Sequence, residues 1–150
     1  MTKPILVMMS WRGGARLQRC LNSIAANKNG FSRIVISITA TPDSEDVKIA
    51  KAFQDQNPEV EVLCTNVELP TMEHQSFWVD YLTDSGAQPT DWIYWLAYDD
   101  ELNTAGLAQV QDSNGSWPLS LDTVYFGPWA MRHETPTKLW SGNNEDDPPV

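Results

Sequence analysis

Apolar positions fall into two kinds of segment along the chain: short continuous runs, and stripes repeated at helical spacing. Residues 4–9 (PILVMM) are a continuous run, which predicts a strand covered on both faces. Ser10-Trp11-Arg12-Gly13-Gly14 breaks it. Leu17, Cys20, Leu21, Ile24 and Ala25 then recur at i, i+3, i+4, i+7 and i+8, one face of a helix with Arg16 and Arg19 off it. Asn29-Gly30 is expected to end that helix, with the glycine in the left-handed position. A second strand is predicted over 33–39, rich in β-branched residues. A helix follows over 45–56, with Val47, Ile49, Ala50 and Phe53 on its apolar side; Thr41-Pro42-Asp43-Ser44 offers its caps, and Asn57-Pro58 stops it. Residues 59–65 read as a third strand and 71–83 as a helix carrying Phe77, Trp78, Tyr81 and Leu82 on one side. Residues 92–98 (WIYWLAY) are apolar or aromatic throughout, as a central strand should be. A short helix is expected near 104–111, a fifth strand over 123–126, and a polar, acidic tail over 141–150.

Strands alternating with helices predict an α/β fold, a three-layer α/β/α sandwich around a mostly parallel sheet. Ligands of such sheets sit at the carboxyl ends of the strands, so the loops at 10–14, 40–44 and 99–103 carry the interest. Length and composition agree with one folded domain: 150 residues, 41% hydrophobic, with seven Trp and four Phe. No apolar run approaches the roughly 20 residues of a membrane helix, so no transmembrane segment is expected. The opening MTKPILVMMSW has no signal-peptide pattern, and Cys20 and Cys64 form neither a disulfide framework nor a zinc motif. The expected setting is cytoplasmic, with both thiols reduced.

A net charge of −10 argues against nucleic acid as a partner. Its distribution changes the picture. Residues 1–40 hold six basic side chains and no acidic one (Lys3, Arg12, Arg16, Arg19, Lys28, Arg33), and all twenty acidic residues follow. The first quarter is therefore either a place for an anionic small molecule or a solvated basic face.

Asp99, Asp100 and Glu101 follow the aromatic strand directly. Three adjacent carboxylates repel one another, and a divalent cation relieves that cost, commonly with substrate phosphates completing its shell. The other reading is an acidic turn in which Asp100 or Asn103 caps a following helix. The first loop has a similar pair of readings. Its backbone N–H groups at a helix start suit an anion, or its two glycines simply ease a turn.

Taken in order, PILVMMSWRGGARLQRCLNSI, the loop TATPDSED and WIYWLAYDDEL resemble family 2 glycosyltransferases of the GT-A fold, the nucleotide-diphospho-sugar transferase type. The resemblance runs from residue 4 to about residue 130 and implies a GT-A-like nucleotide-sugar-binding domain over 1–140, with 141–150 as its tail. It implies a metal-dependent glycosyltransferase moving a sugar from a nucleotide-sugar donor to an unknown glycan or lipid-linked acceptor. Asp99 and Asp100, helped by Glu101, would hold Mn²⁺ or Mg²⁺ against the donor diphosphate. Ser10, Trp11 and Arg12 from the first loop, Thr39, Thr41 and Asp43 from the second, and Asp99 would bind the nucleotide. Trp11 is alternatively a core or rim packing residue, the commoner fate of a Trp.

The pattern also departs from the family. Ala97 stands where the family's first motif aspartate is expected, and Thr39-Ala40-Thr41 replaces an acidic pair. His74 and Gln75 stand in a segment that often carries a basic residue, and His74 is expected on the helix surface. No catalytic base is identified; His133 and Glu134 are titratable candidates, and Glu145, Asp146 and Asp147 belong with the tail. The alternative function is a truncated or degenerate GT-A-like nucleotide-binding module without transferase activity.

Overall fold

The structure, a computed structural model, describes residues 3–88, 91–102 and 129–132. The segments expected at 104–111, 123–126 and 141–150, and the base candidates His133 and Glu134, lie outside the described residues. Strands β1 (Ile5–Ser10), β2 (Arg33–Ile38), β3 (Glu61–Cys64), β4 (Trp92–Ala97) and β5 (Trp129–Arg132) form one sheet in the order β3-β2-β1-β4-β5. The first four are parallel, and β5 runs antiparallel to β4. Helices α1 (Ala15–Asn27), α2 (Glu45–Gln56) and α3 (Thr71–Asp84) connect the parallel strands.

β1 has every residue buried because it is hydrogen-bonded on both sides and covered on both faces. Alternation then divides its side chains. Leu6 and Met8 join Ile34, Ile36, Tyr94 and Leu96 against α1 and α2. Ile5, Val7 and Met9 join Val35, Ile93 and Trp95 against Trp78 and Leu82 of α3. Two helices on one face and one on the other make a three-layer α/β/α sandwich with a mostly parallel sheet.

The α1 stripe is buried at Leu17, Cys20, Leu21 and Ile24. The helix does not end on a left-handed glycine: a 3₁₀ turn, Lys28–Gly30, extends it, and Gly30 keeps a negative φ. Ser44 caps α2 by accepting from the Val47 N–H at 3.2 Å, and Asn57 ends it by returning its own N–H to Phe53 and Gln54. In α3 the buried face is His74, Gln75, Trp78 and Leu82, rotated from the expected Phe77-Trp78-Tyr81-Leu82 side. β3 is shorter than the run 59–65 and half-buried at the sheet edge. Four basic side chains of the first quarter pair with glutamates: Arg12 with Glu68, Arg19 with Glu101, Lys28 with Glu59 and Arg33 with Glu61. The charge asymmetry of the sequence is thus largely a matter of early cations meeting later carboxylates. Among the described residues no helix is long and apolar enough to cross a membrane.

Candidate functional site

The chain steps outward from β1 through β2 to β3, then crosses back to place β4 on the other side of β1, and this reversal opens a crevice at the strands' carboxyl ends. A cavity of about 530 Å³ lies there. Its wall takes Met9 and Ser10 from β1, Trp95 and Ala97 from β4, His74 from α3, and Trp11, Thr39 and Tyr98 from just past the ends of β1, β2 and β4. The segment Glu68-Leu69-Pro70-Thr71 closes its far side. A smaller cavity of about 220 Å³ adjoins through the shared Glu68 and is lined by Arg12, Thr41 and Glu45 among others.

The first loop is held by a carboxylate from α2. Asp46, only 5% exposed, accepts from the Gly13 N–H at 2.7 Å, the Gly14 N–H at 3.0 Å and the Ser10 hydroxyl at 3.3 Å. The N–H groups expected to receive a ligand anion therefore receive an internal one, at the N-terminus of α1 where the helix dipole favours negative charge. The loop geometry demands its glycines. A Cβ on Gly13 would stand 2.8 Å from Leu17 Cβ and 2.9 Å from Ser10 Oγ, and Gly14 has φ +55° with ψ −126°, open to glycine alone.

Of the residues expected to bind a nucleotide, Ser10, Trp11 and Thr39 share the larger cavity. Trp11 is half exposed, so it is a rim residue and not a core one. Thr39 is buried with its hydroxyl occupied: Oγ1 accepts from the Leu69 N–H at 2.6 Å and pairs with Thr65, anchoring the segment that closes the cavity. Thr41 and Arg12 line the smaller cavity. Asp43 is exposed, tied to the Thr41 hydroxyl at 2.8 Å, which holds its carboxyl below the usual range.

The acidic triplet stands beyond the larger cavity. Asp99, Asp100 and Glu101 are exposed in a turn closed by the Asp100 N–H to Ala97 O at 3.1 Å. Partial desolvation, and then the neighbouring Asp99, raise the Asp100 carboxyl above its ordinary range. Glu101 turns away to Arg19 at 3.5 Å, and Leu102 bonds Ser23 of α1 through its N–H. Among the described residues no group of three ligating side chains converges as a metal site. Asp99 and Asp100 would need further oxygens from a ligand to complete a divalent ion's shell, and Glu101 pairs with the exposed Arg19.

His74 is not on the surface. It is 2% exposed, its Nε2 lies 2.7 Å from Ser37 Oγ of β2, and burial pushes its pKa down to about 4. A neutral imidazole thus forms part of the cavity wall. Sequence reasoning also missed Asp46 and Glu68. Asp46 reads as an ordinary first-turn acid, and Glu68 sits in a segment without periodic signal.

No family model and no curated protein matches the sequence. Solved structures do. A 4-diphosphocytidyl-2C-methyl-D-erythritol synthase superposes with a TM-score of 0.57 at 19% identity, over 74% of this chain and 54% of that one. The fold is GT-A-like. TarS of S. aureus, residues 1–349, matches with a TM-score of 0.56 at 12% identity, over 73% of this chain and 31% of that one. The chain thus spans about half the length of the first and a third of the second. Both likenesses are of fold and reach no particular family. In GT-A-like terms, the larger cavity lies at the carboxyl end of the sheet, and the acidic turn follows β4.

Proposed function

We propose that this chain is a GT-A-like module that binds a nucleotide in the larger cavity and lacks a complete metal centre of its own. The observation that carries the reading is the division of the expected site. Ser10, Trp11 and Thr39 line one aromatic-walled cavity at the switch point of the sheet, while Glu101 is tied to Arg19 outside it. Trp11, Trp95 and Tyr98 offer flat apolar surface for a nucleobase, and Ser10, Thr71 and His74 supply the few polar groups such a pocket uses for orientation. The module is taken to occupy 1–140, with 141–150 as a tail.

A second reading has one observation in its favour: Asp99 and Asp100 follow Tyr98, which lines the cavity. On that reading the chain is a metal-dependent glycosyltransferase, of family 2 by resemblance, working on a nucleotide-sugar donor and a glycan or lipid-linked acceptor in the cytoplasm. Asp99 and Asp100 would hold Mn²⁺ or Mg²⁺, which neutralises diphosphate charge when bound. Arg12, Thr41 and Asp43 would contact the nucleotide from the adjoining cavity.

Calorimetric titration with UDP, CDP, GDP and dTDP, with and without Mn²⁺, separates the two. The module reading expects affinity independent of Mn²⁺ in both wild type and Asp99→Asn. Metal-dependent affinity that Asp99→Asn abolishes favours the transferase. Failure of all four nucleotides to bind under either condition refutes both.

A further inference from the structure

A nucleoside diphosphate brings two or more negative charges, and the two cavities offer one cation to meet them. Arg12 is the only Lys or Arg among the described residues that line either cavity. It is already engaged. Its Nε and Nη2 donate to Glu68 Oε1 and Oε2 at 2.9 and 3.1 Å, a bidentate pair across two loops. Glu68 borders both cavities, and the Arg12 guanidinium also lies 5.2 Å from the centre of the Trp11 ring at the rim of the larger one. The two side chains are 68% and 43% exposed, a setting in which ion pairs contribute little net stability. A phosphate group matches the guanidinium fork as well as a carboxylate does.

Building on the nucleotide-binding reading, we propose that Glu68 is a resident counter-ion that the ligand's phosphate displaces from Arg12. In the free protein Glu68 neutralises Arg12 and adds a carboxylate at the mouth of both cavities. When a nucleoside occupies the larger cavity, its diphosphate reaches the rim beside Trp11. Arg12 then exchanges one bidentate partner for another, and Glu68 swings out to solvent. The exchange tunes selectivity: Glu68 holds down affinity for the diphosphate form relative to the bare nucleoside.

The test is calorimetric titration in metal-free buffer with EDTA. The ligands are UDP, CDP and GDP, each beside uridine, cytidine or guanosine. The proteins are wild type, Glu68→Gln, Arg12→Gln and the double variant, each checked for an intact thermal transition. The readout is the ratio of diphosphate to nucleoside affinity. Glu68→Gln is expected to raise that ratio up to about fivefold, the ceiling for an exposed pair. Arg12→Gln is expected to lower it toward one. In the Arg12→Gln background the Glu68→Gln gain should vanish, because both act through one contact. A gain that persists without Arg12 overturns the exchange, as does a ratio unmoved by Arg12→Gln. If the wild type binds neither nucleosides nor diphosphates, the nucleotide-binding reading fails and takes this one with it. Nucleoside binding with an unresponsive ratio overturns the exchange alone.

Discussion

Replacing Asp46 with alanine should unfasten the first loop from the second helix. Three donors lose their acceptor: the Gly13 and Gly14 N–H groups and the Ser10 hydroxyl. A hydrogen bond to a charged group contributes about 1.5–3 kcal/mol, and an orphaned buried donor costs about 1–3 kcal/mol. Gly13 is buried, so water does not replace the carboxylate there, whereas Gly14 is half-buried and is partly rehydrated. The expected loss is about 3 kcal/mol, or a Tm lower by roughly 6–12 °C for a chain of this size. Asp46→Asn keeps one acceptor oxygen but turns an NH₂ group toward a donor, so it should cost about 2 kcal/mol. Ser44→Ala provides a ruler on the same helix start, since loss of an N-cap costs about 1 kcal/mol. Urea unfolding of the three variants at pH 7 measures all of this. If Asp46→Ala costs no more than Ser44→Ala, the carboxylate does not hold the loop and the account of the filled helix terminus is wrong.

His74 should make stability fall in acid. Its folded pKa of about 4 lies below the unfolded value of about 6.5, so stability is full above pH 6.5 and is lost as pH falls toward 4, by about 3 kcal/mol. Urea midpoints of His74→Gln should show a smaller drop over that window than the wild type, and parallel curves would contradict the argument. Burial lifts the Cys20 thiol to about 12, so native-state labelling should spare Cys20 and reach the half-buried Cys64 first, as mass mapping of the labelled peptides would reveal. Gly13→Ala should cost about 1–3 kcal/mol through overpacking and shift Tyr98, whose Cδ2 lies 3.0 Å from the added methyl position; an unchanged Tm would show the loop to be compliant.

The parts of the fold legible in the sequence are those where one segment's burial suffices to decide its form. β1 and β4 read as strands because each is covered on both faces, and the α1 stripe reads as a helix because its period survives in the sequence. The site was less legible because its decisive contacts join distant segments. Nothing local distinguishes Asp46 from any first-turn acid; only the approach of the 10–14 loop makes it an acceptor. His74 reads as a surface residue until α3 packs over Ser37. The pairing of Arg12 with Glu68 and of Arg19 with Glu101 turns part of an apparent basic patch into ion pairs between segments far apart in the sequence. β5 at Trp129–Arg132 was not foreseen, since four residues beside a single partner strand carry little pattern.

β1, made before the other four strands, ends up innermost, and that orders the assembly of this sheet during synthesis. Once residues up to β3 have emerged, α1 and α2 can cover one face of β1 and β2 with most of their core in place. The opposite face, Ile5, Val7, Met9 and Val35, stays bare until α3 and β4 arrive, because Ile5 pairs with Ile93 and packs with that later set. At ribosomal speeds of about 5–20 residues per second, that interval lasts on the order of seconds, long enough for a chaperone to meet the exposed apolar row. The larger cavity is completed in this late half, since His74, Trp95, Ala97 and Tyr98 line it. The nascent chain therefore gains its larger cavity in the same event that hides its stickiest surface.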